Sequence, residues 1–109
     1  RQSGIGEYLM IFETLQRTGL PCAYSHFKKP QTPPYIVYIG NGQNQMRADD
    51  TRYWHENTYQ VEYYFDKKNE SNEEAIEEAL VADGYLFEKS EDIYLEEDDV
   101  FLIYYYIGG

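Results

Sequence analysis

The chain has 109 residues, with 20 acidic against nine basic side chains and a formal net charge of -11 at pH 7. That length fits a single domain over 1–109 with one core. The charge excludes a protein that grips a nucleic-acid backbone, since phosphate contacts need clustered Lys and Arg and only Lys28-Lys29 and Lys67-Lys68 are paired here. The single cysteine, Cys22, excludes an internal disulfide, and the lack of a charged-then-apolar leader or a long apolar run leads us to expect a soluble, intracellular chain with no membrane association.

Residues 1–6, RQSGIG, lack an initiator methionine and read as a processing remnant or flexible lead-in. In EYLMIFETLQRT, 7–18, Tyr8, Ile11, Phe12 and Leu15 fall at i, i+3, i+4 and i+7, the stripe of an amphipathic helix that Gly19 and Pro21 stop. CAYSHF supplies a short strand. The prolines of KKPQTPP remove backbone donors and make that stretch a loop, and YIVYI at 35–39, β-branched and aromatic, is a strand. Asn41-Gly42 can turn a hairpin, but the polar QNQMRADDTR that follows reads as an exposed loop or arm over 41–52.

TYQVEYYFD, 58–66, alternates Tyr59, Val61, Tyr63 and Phe65 on one face with Thr58, Gln60, Glu62, Tyr64 and Asp66 on the other, a strand with one buried side. Ser71, with Glu74 three residues on, reads as the capping box of a second helix, acidic in its first turns, with Ile76, Ala79 and Leu80 inward and an end near Gly84. YLFEK at 85–89 is a short strand, SEDIYLEEDD a connection holding a few strand residues, and VFLIYYYI at 100–107 the closing strand. The order helix, strands, helix, strands predicts an α+β fold: a mostly antiparallel sheet of about four to five strands with both helices on one face.

Cys22, His26 and His55 are the residues that invite zinc or nucleophilic chemistry. Structural zinc takes four ligands and no second cysteine is present, and a Cys/His pair lacks any nucleophile context here, so Cys22 reads as a small buried apolar residue. The run Glu96, Glu97, Asp98, Asp99 lacks the alternating ligands and glycine of a calcium loop, and the glycines at 40 and 42 lack the lysine and helix start of a phosphate loop. No catalytic residue, metal or cofactor is expected.

The closing strand has no charged residue. Val100, Leu102, Tyr104 and Tyr106 point one way and Phe101, Ile103, Tyr105 and Ile107 the other, and helices on one side hide only one set. Either long side chains and the 41–52 arm fold over the bare set, or another subunit covers it. The second alternative makes Phe101, Ile103 and Tyr105, with Tyr64 and the arm residues Asn41, Gly42, Arg47, Asp49 and Asp50, the expected protein interface. The 13 tyrosines, each an apolar ring with a polar tip, suit such a surface.

Three blocks, TGLPCAYSHFKKPQTPPYIVY (18–38), NTYQVEYYFDKKN (57–69) before a Glu-rich helix, and YLFEKSEDIYLEEDDVFLIYYYI (85–107), span most of the chain. Together they resemble small neck proteins of long-tailed bacteriophages and prophages of Gram-positive hosts, the tail-terminator or tail-completion group. The resemblance implies a non-enzymatic structural protein that forms a ring, commonly a hexamer, caps the tail tube protein, and joins the tail to the head connector. It places the protein in the virion neck, and in the host cytoplasm during assembly, with DNA passing through the ring without specific binding. Separately from the resemblance, an acidic subunit suits such a channel because like charge keeps the duplex from sticking, which makes the arm acids Asp49 and Asp50 the expected wall residues. Head-completion stoppers and minor capsid proteins are neighbouring roles. From other classes, a monomeric ligand-sensing domain would bind a small molecule on the exposed sheet face, and an enzyme would use Cys22 and a histidine.

Overall fold

The computed structural model describes residues 11–40 and 59–108. Helix α1 covers 11–16, and after it come β1 (Cys22–Tyr24), β2 (Tyr35–Gly40), β3 (Tyr59–Phe65), helix α2 (Glu70–Ala82), β4 (Leu86–Lys89), β5 (Ile93–Leu95) and β6 (Val100–Gly108). The arm residues Asn41, Gly42, Arg47, Asp49 and Asp50, together with Tyr8 and His55, lie outside the described residues.

The sheet runs β1-β2-β3-β6-β4, with β5 also on β6, and every pairing is antiparallel except β1 with β2. The expected α+β class with a mostly antiparallel sheet is what the chain forms, with six strands where four to five were expected. The added strand is β5, drawn from the acidic connection. Both β4 and β5 pair with the same side of β6, and from Lys89 to Ile93 the chain advances four residues while their partners Tyr105 and Leu102 are three apart. That extra residue is a β-bulge, marked by the Ser90 hydroxyl accepting from the Tyr104 amide at 2.9 Å.

The alternation in β3 decides which face is buried. Tyr59, Val61, Tyr63 and Phe65 stand opposite Ile107, Tyr105, Ile103 and Phe101 of β6, and residues directly opposite in a ladder share a face. This face carries the core: Ile11 and Leu15 of α1 and Ile76 and Leu80 of α2 cluster on it with Ile36 and Tyr38 of β2. Both helices therefore pack on one side, as the element order predicts.

Helix α2 is capped differently from the expectation. Asn69, not Ser71, is the N-cap, in extended backbone, its side chain accepting from the Asn72 amide at 3.2 Å. Asn caps as well as Ser, and Glu73, three and seven residues before the buried Ile76 and Leu80, shares their inward face and is only 4% exposed. Around it two lysines converge: Lys68 Nζ lies 2.7 Å from Oε2, and Lys89 Nζ donates to Oε1 at 3.0 Å. The Lys68 contact is an ion pair without hydrogen-bond alignment. Each lysine has a second carboxylate, Asp92 at 3.0 Å for Lys68 and Glu77 at 2.7 Å for Lys89, and the buried Tyr105 hydroxyl donates to Glu77 at 2.9 Å. The network fastens α2 to β4 and β6.

At its far end α2 closes on Asp83, followed by Gly84 at φ +85, a conformation that glycine adopts without a Cβ clash. The Asp83 carboxylate takes a hydrogen bond from the fully buried Thr14 hydroxyl and an ion pair from Arg17 at 3.0 Å, which joins α1 to the end of α2.

Candidate functional site

Among the described residues no helix packs on the second face of the sheet. The register places Tyr35, Val37 and Ile39 of β2, Gln60, Glu62 and Tyr64 of β3, and Leu102, Tyr104 and Tyr106 of β6 there in adjoining rows. Val37 and Leu102 are nevertheless buried. Near Tyr35 the cover comes from the β1–β2 connection, 25–34, whose Phe27 ring meets Tyr35 edge to face at 5.4 Å. Ile93 and Leu95 of β5, turned to this side by the bulge, flank the same end.

Three of the expected interface residues are corrected by this register, which puts them on the helix side. Ile103 and Tyr105 are fully buried on the helix side, Tyr105 beneath Lys89 and bonded to Glu77. The physical reason is their pairing with Tyr63 and Val61, the buried positions of β3. Phe101 is half-buried on the same side, stacked on Phe65 at 5.4 Å and touching Tyr94 at 5.1 Å, so it too leaves the second face. Tyr64 does lie on that face, half-buried. The bare set of β6 is the other one: Tyr104 stacks on Tyr106 at 5.5 Å, Tyr106 is 43% exposed, and Leu86 of β4, paired beside Gly108, is 75% exposed.

Between the 25–34 connection and this face lies a groove of about 310 Å³. Its aromatic wall is Phe27, Tyr35 and Tyr64, the last two stacked at 4.9 Å. Its polar wall is Glu62, with Asp98 contributed by the turn between β5 and β6. The Tyr64 hydroxyl donates to Glu62 Oε1 at 2.7 Å and the Gln60 amide to Oε2 at 2.8 Å, so the carboxylate is held in place with acceptor capacity left over. Burial, and then the hydrogen bond to Glu62, push the Tyr64 phenol well above its ordinary pKa. The Tyr35 phenol is raised by burial and then by the negative charges of Asp98 and Glu62, which places both carboxylates within its field.

Of the residues weighed for metal or nucleophile chemistry, Cys22 and His26 are among those described and His55 is not. Burial pushes the Cys22 thiol up, away from the thiolate a nucleophile needs, and His26 is exposed with its Nδ1 against the Ser25 hydroxyl at 3.2 Å. Among the described residues no group of three or more His, Cys, Asp or Glu side chains is placed to hold a metal ion, and no helix is long and apolar enough to cross a membrane. The acids at 96–99 make the turn of the β5–β6 hairpin, with Asp99 at φ +54 accepting from the Tyr94 hydroxyl at 2.8 Å. Phe27, Tyr35, Glu62 and Asp98 were not among the expected site residues, because only the folded register brings β2, β3 and the hairpin turn together. Comparison with protein-family models, with curated proteins and with solved structures returned no match for this chain.

Proposed function

We propose that this chain is a non-enzymatic virion assembly protein of the tail-terminator or tail-completion kind, working through protein contacts at the neck. The observation that carries the reading is the unequal sheet: one face is sealed by two helices, while the other keeps Tyr64, Tyr104, Tyr106 and Leu86 half-buried or exposed. Aromatic and aliphatic side chains left at a protein surface in one patch suit burial by another protein. The three sequence blocks that resemble neck proteins name the assembly, and a ring needs two different patches per subunit, for which this face supplies one. A head-completion stopper or a minor capsid protein would use the same surface.

The test is genetic. Deleting the gene from its phage is expected to leave filled heads beside unattached tails, with tails of irregular length for a terminator. Complementation with wild type restores joining, whereas the doubly charged Leu86→Glu/Tyr106→Glu variant, altered only at exposed positions, folds but does not restore it. Normal virions from the deletion would end the proposal.

A further inference from the structure

The groove beside Tyr35 has a chemistry more specific than a bare apolar face. Its aromatic pair offers ring faces and edges, its fixed carboxylate offers acceptors, and a second carboxylate, Asp98, stands across from the first on the hairpin. Neither Glu62 nor Asp98 makes an ion pair among the described residues. Glu96, Glu97 and Asp99 share the turn with Asp98 and add to the negative charge of that end of the hairpin.

We propose that this groove receives an arginine side chain from a partner protein, the guanidinium packed against the Tyr35–Tyr64 pair and hydrogen-bonded to Glu62, with Asp98 closing the site. Arginine fits better than lysine for two reasons. Its planar cation lies flat on aromatic rings, and its fork of donors matches a carboxylate, whereas an ammonium is a compact and strongly hydrated charge. The cavity, at the small end of the range for ligand sites of roughly 300–1,000 Å³, holds one such side chain rather than a large ligand.

Lys29 and His26 also line the groove and oppose a cation when charged. Lys29 is exposed and has no ion pair among the described residues, so it can swing outward; the two groove carboxylates outweigh its single charge. This makes the sign of its effect a test. Removing Lys29 strengthens binding of a cation and weakens binding of an anion. The inference rests on the groove alone and holds whether or not the chain acts in a virion.

The experiment is a two-dimensional amide NMR titration of the full chain with the blocked peptide Gly-Arg-Gly, and with counterparts carrying lysine or citrulline, the uncharged isostere of arginine. Saturable shifts are expected at Tyr35, Glu62, Tyr64 and Asp98, with arginine bound several-fold more tightly than lysine and citrulline not detectably bound. Glu62→Gln, which keeps an acceptor for the Tyr64 hydroxyl and so keeps the fold, weakens arginine binding about tenfold, the size of one charged hydrogen bond. Lys29→Ala strengthens it about twofold. Citrulline binding as well as arginine, shifts confined to 96–99 without saturation, weaker binding in Lys29→Ala, or no shifts at all would each overturn the proposal.

Discussion

The network around Glu73 makes an asymmetric prediction. Replacing Lys68 and Lys89 together by Met keeps their aliphatic length but strands a carboxylate whose side chain is 5% exposed, and an unpaired buried charge costs about 3–5 kcal/mol. Replacing Glu73 by Gln is milder. Lys68 keeps Asp92, Lys89 keeps Glu77, and both lysines are at least one-third exposed, so water screens what they lose and the cost falls to about 1 kcal/mol. Adding Glu73→Gln to the double lysine variant should then recover about 2–3 kcal/mol, since it removes the stranded charge. Urea unfolding followed by far-ultraviolet circular dichroism measures all three. A double lysine variant no less stable than Glu73→Gln, or a triple variant that recovers nothing, would refute this account of what holds α2 down.

At the other end of α2, the Thr14 hydrogen bond, opposed by burial and helped by Arg17, holds the Asp83 carboxyl below its ordinary pKa. A depressed folded pKa stabilises above the unfolded value of about 3.9 and is lost as pH falls through the folded one, so Asp83→Asn should flatten the acid limb of a pH–stability curve. Tyr105→Phe removes the hydroxyl bond to Glu77 while leaving Lys89 on that carboxylate, and should cost about 1 kcal/mol in the same urea assay. Ile103→Ala, fully buried against the helices, should cost about 2–5 kcal/mol, whereas Tyr106→Ala on the bare face should cost about 0.5 kcal/mol or less. Equal losses for these two would reverse the assignment of the faces.

The sequence carried the elements more clearly than their partners. Strand β3 was legible because its apolar residues alternate with polar ones, and the stripe through Ile11 and Leu15 likewise gave α1 its inward side. Strand β6 was ambiguous because both of its faces are apolar, so nothing local separates Ile103 from Leu102; only the ladder with β3 does. The interface expectation for Ile103 and Tyr105 failed at that point. Strand β5 was legible only as a few strand residues within SEDIYLEEDD, because the flanking charges of Glu91, Asp92 and Glu96 mark the stretch as a connection. Glu73 was not among the residues expected to face inward, because burial of a carboxylate depends on lysines that arrive from before the helix and from β4. Tyr35 and Tyr64 belong to different strands, and their stacking follows from pairing that no periodicity encodes.

The central position of β6 bears on how the chain reaches its native state. It joins β3 on one side and both β4 and β5 on the other, and its ladder with β3 ties Tyr59 to Ile107 and Phe65 to Phe101 across the whole of α2 and the β4–β5 arm. Such distant partners meet only after a long loop has closed, which slows assembly relative to a helical bundle of equal size. Until that closure neither half of the sheet has its inner neighbour. Fragments ending before Val100 should therefore remain unstructured, and unfolding of the intact domain should proceed as one cooperative event.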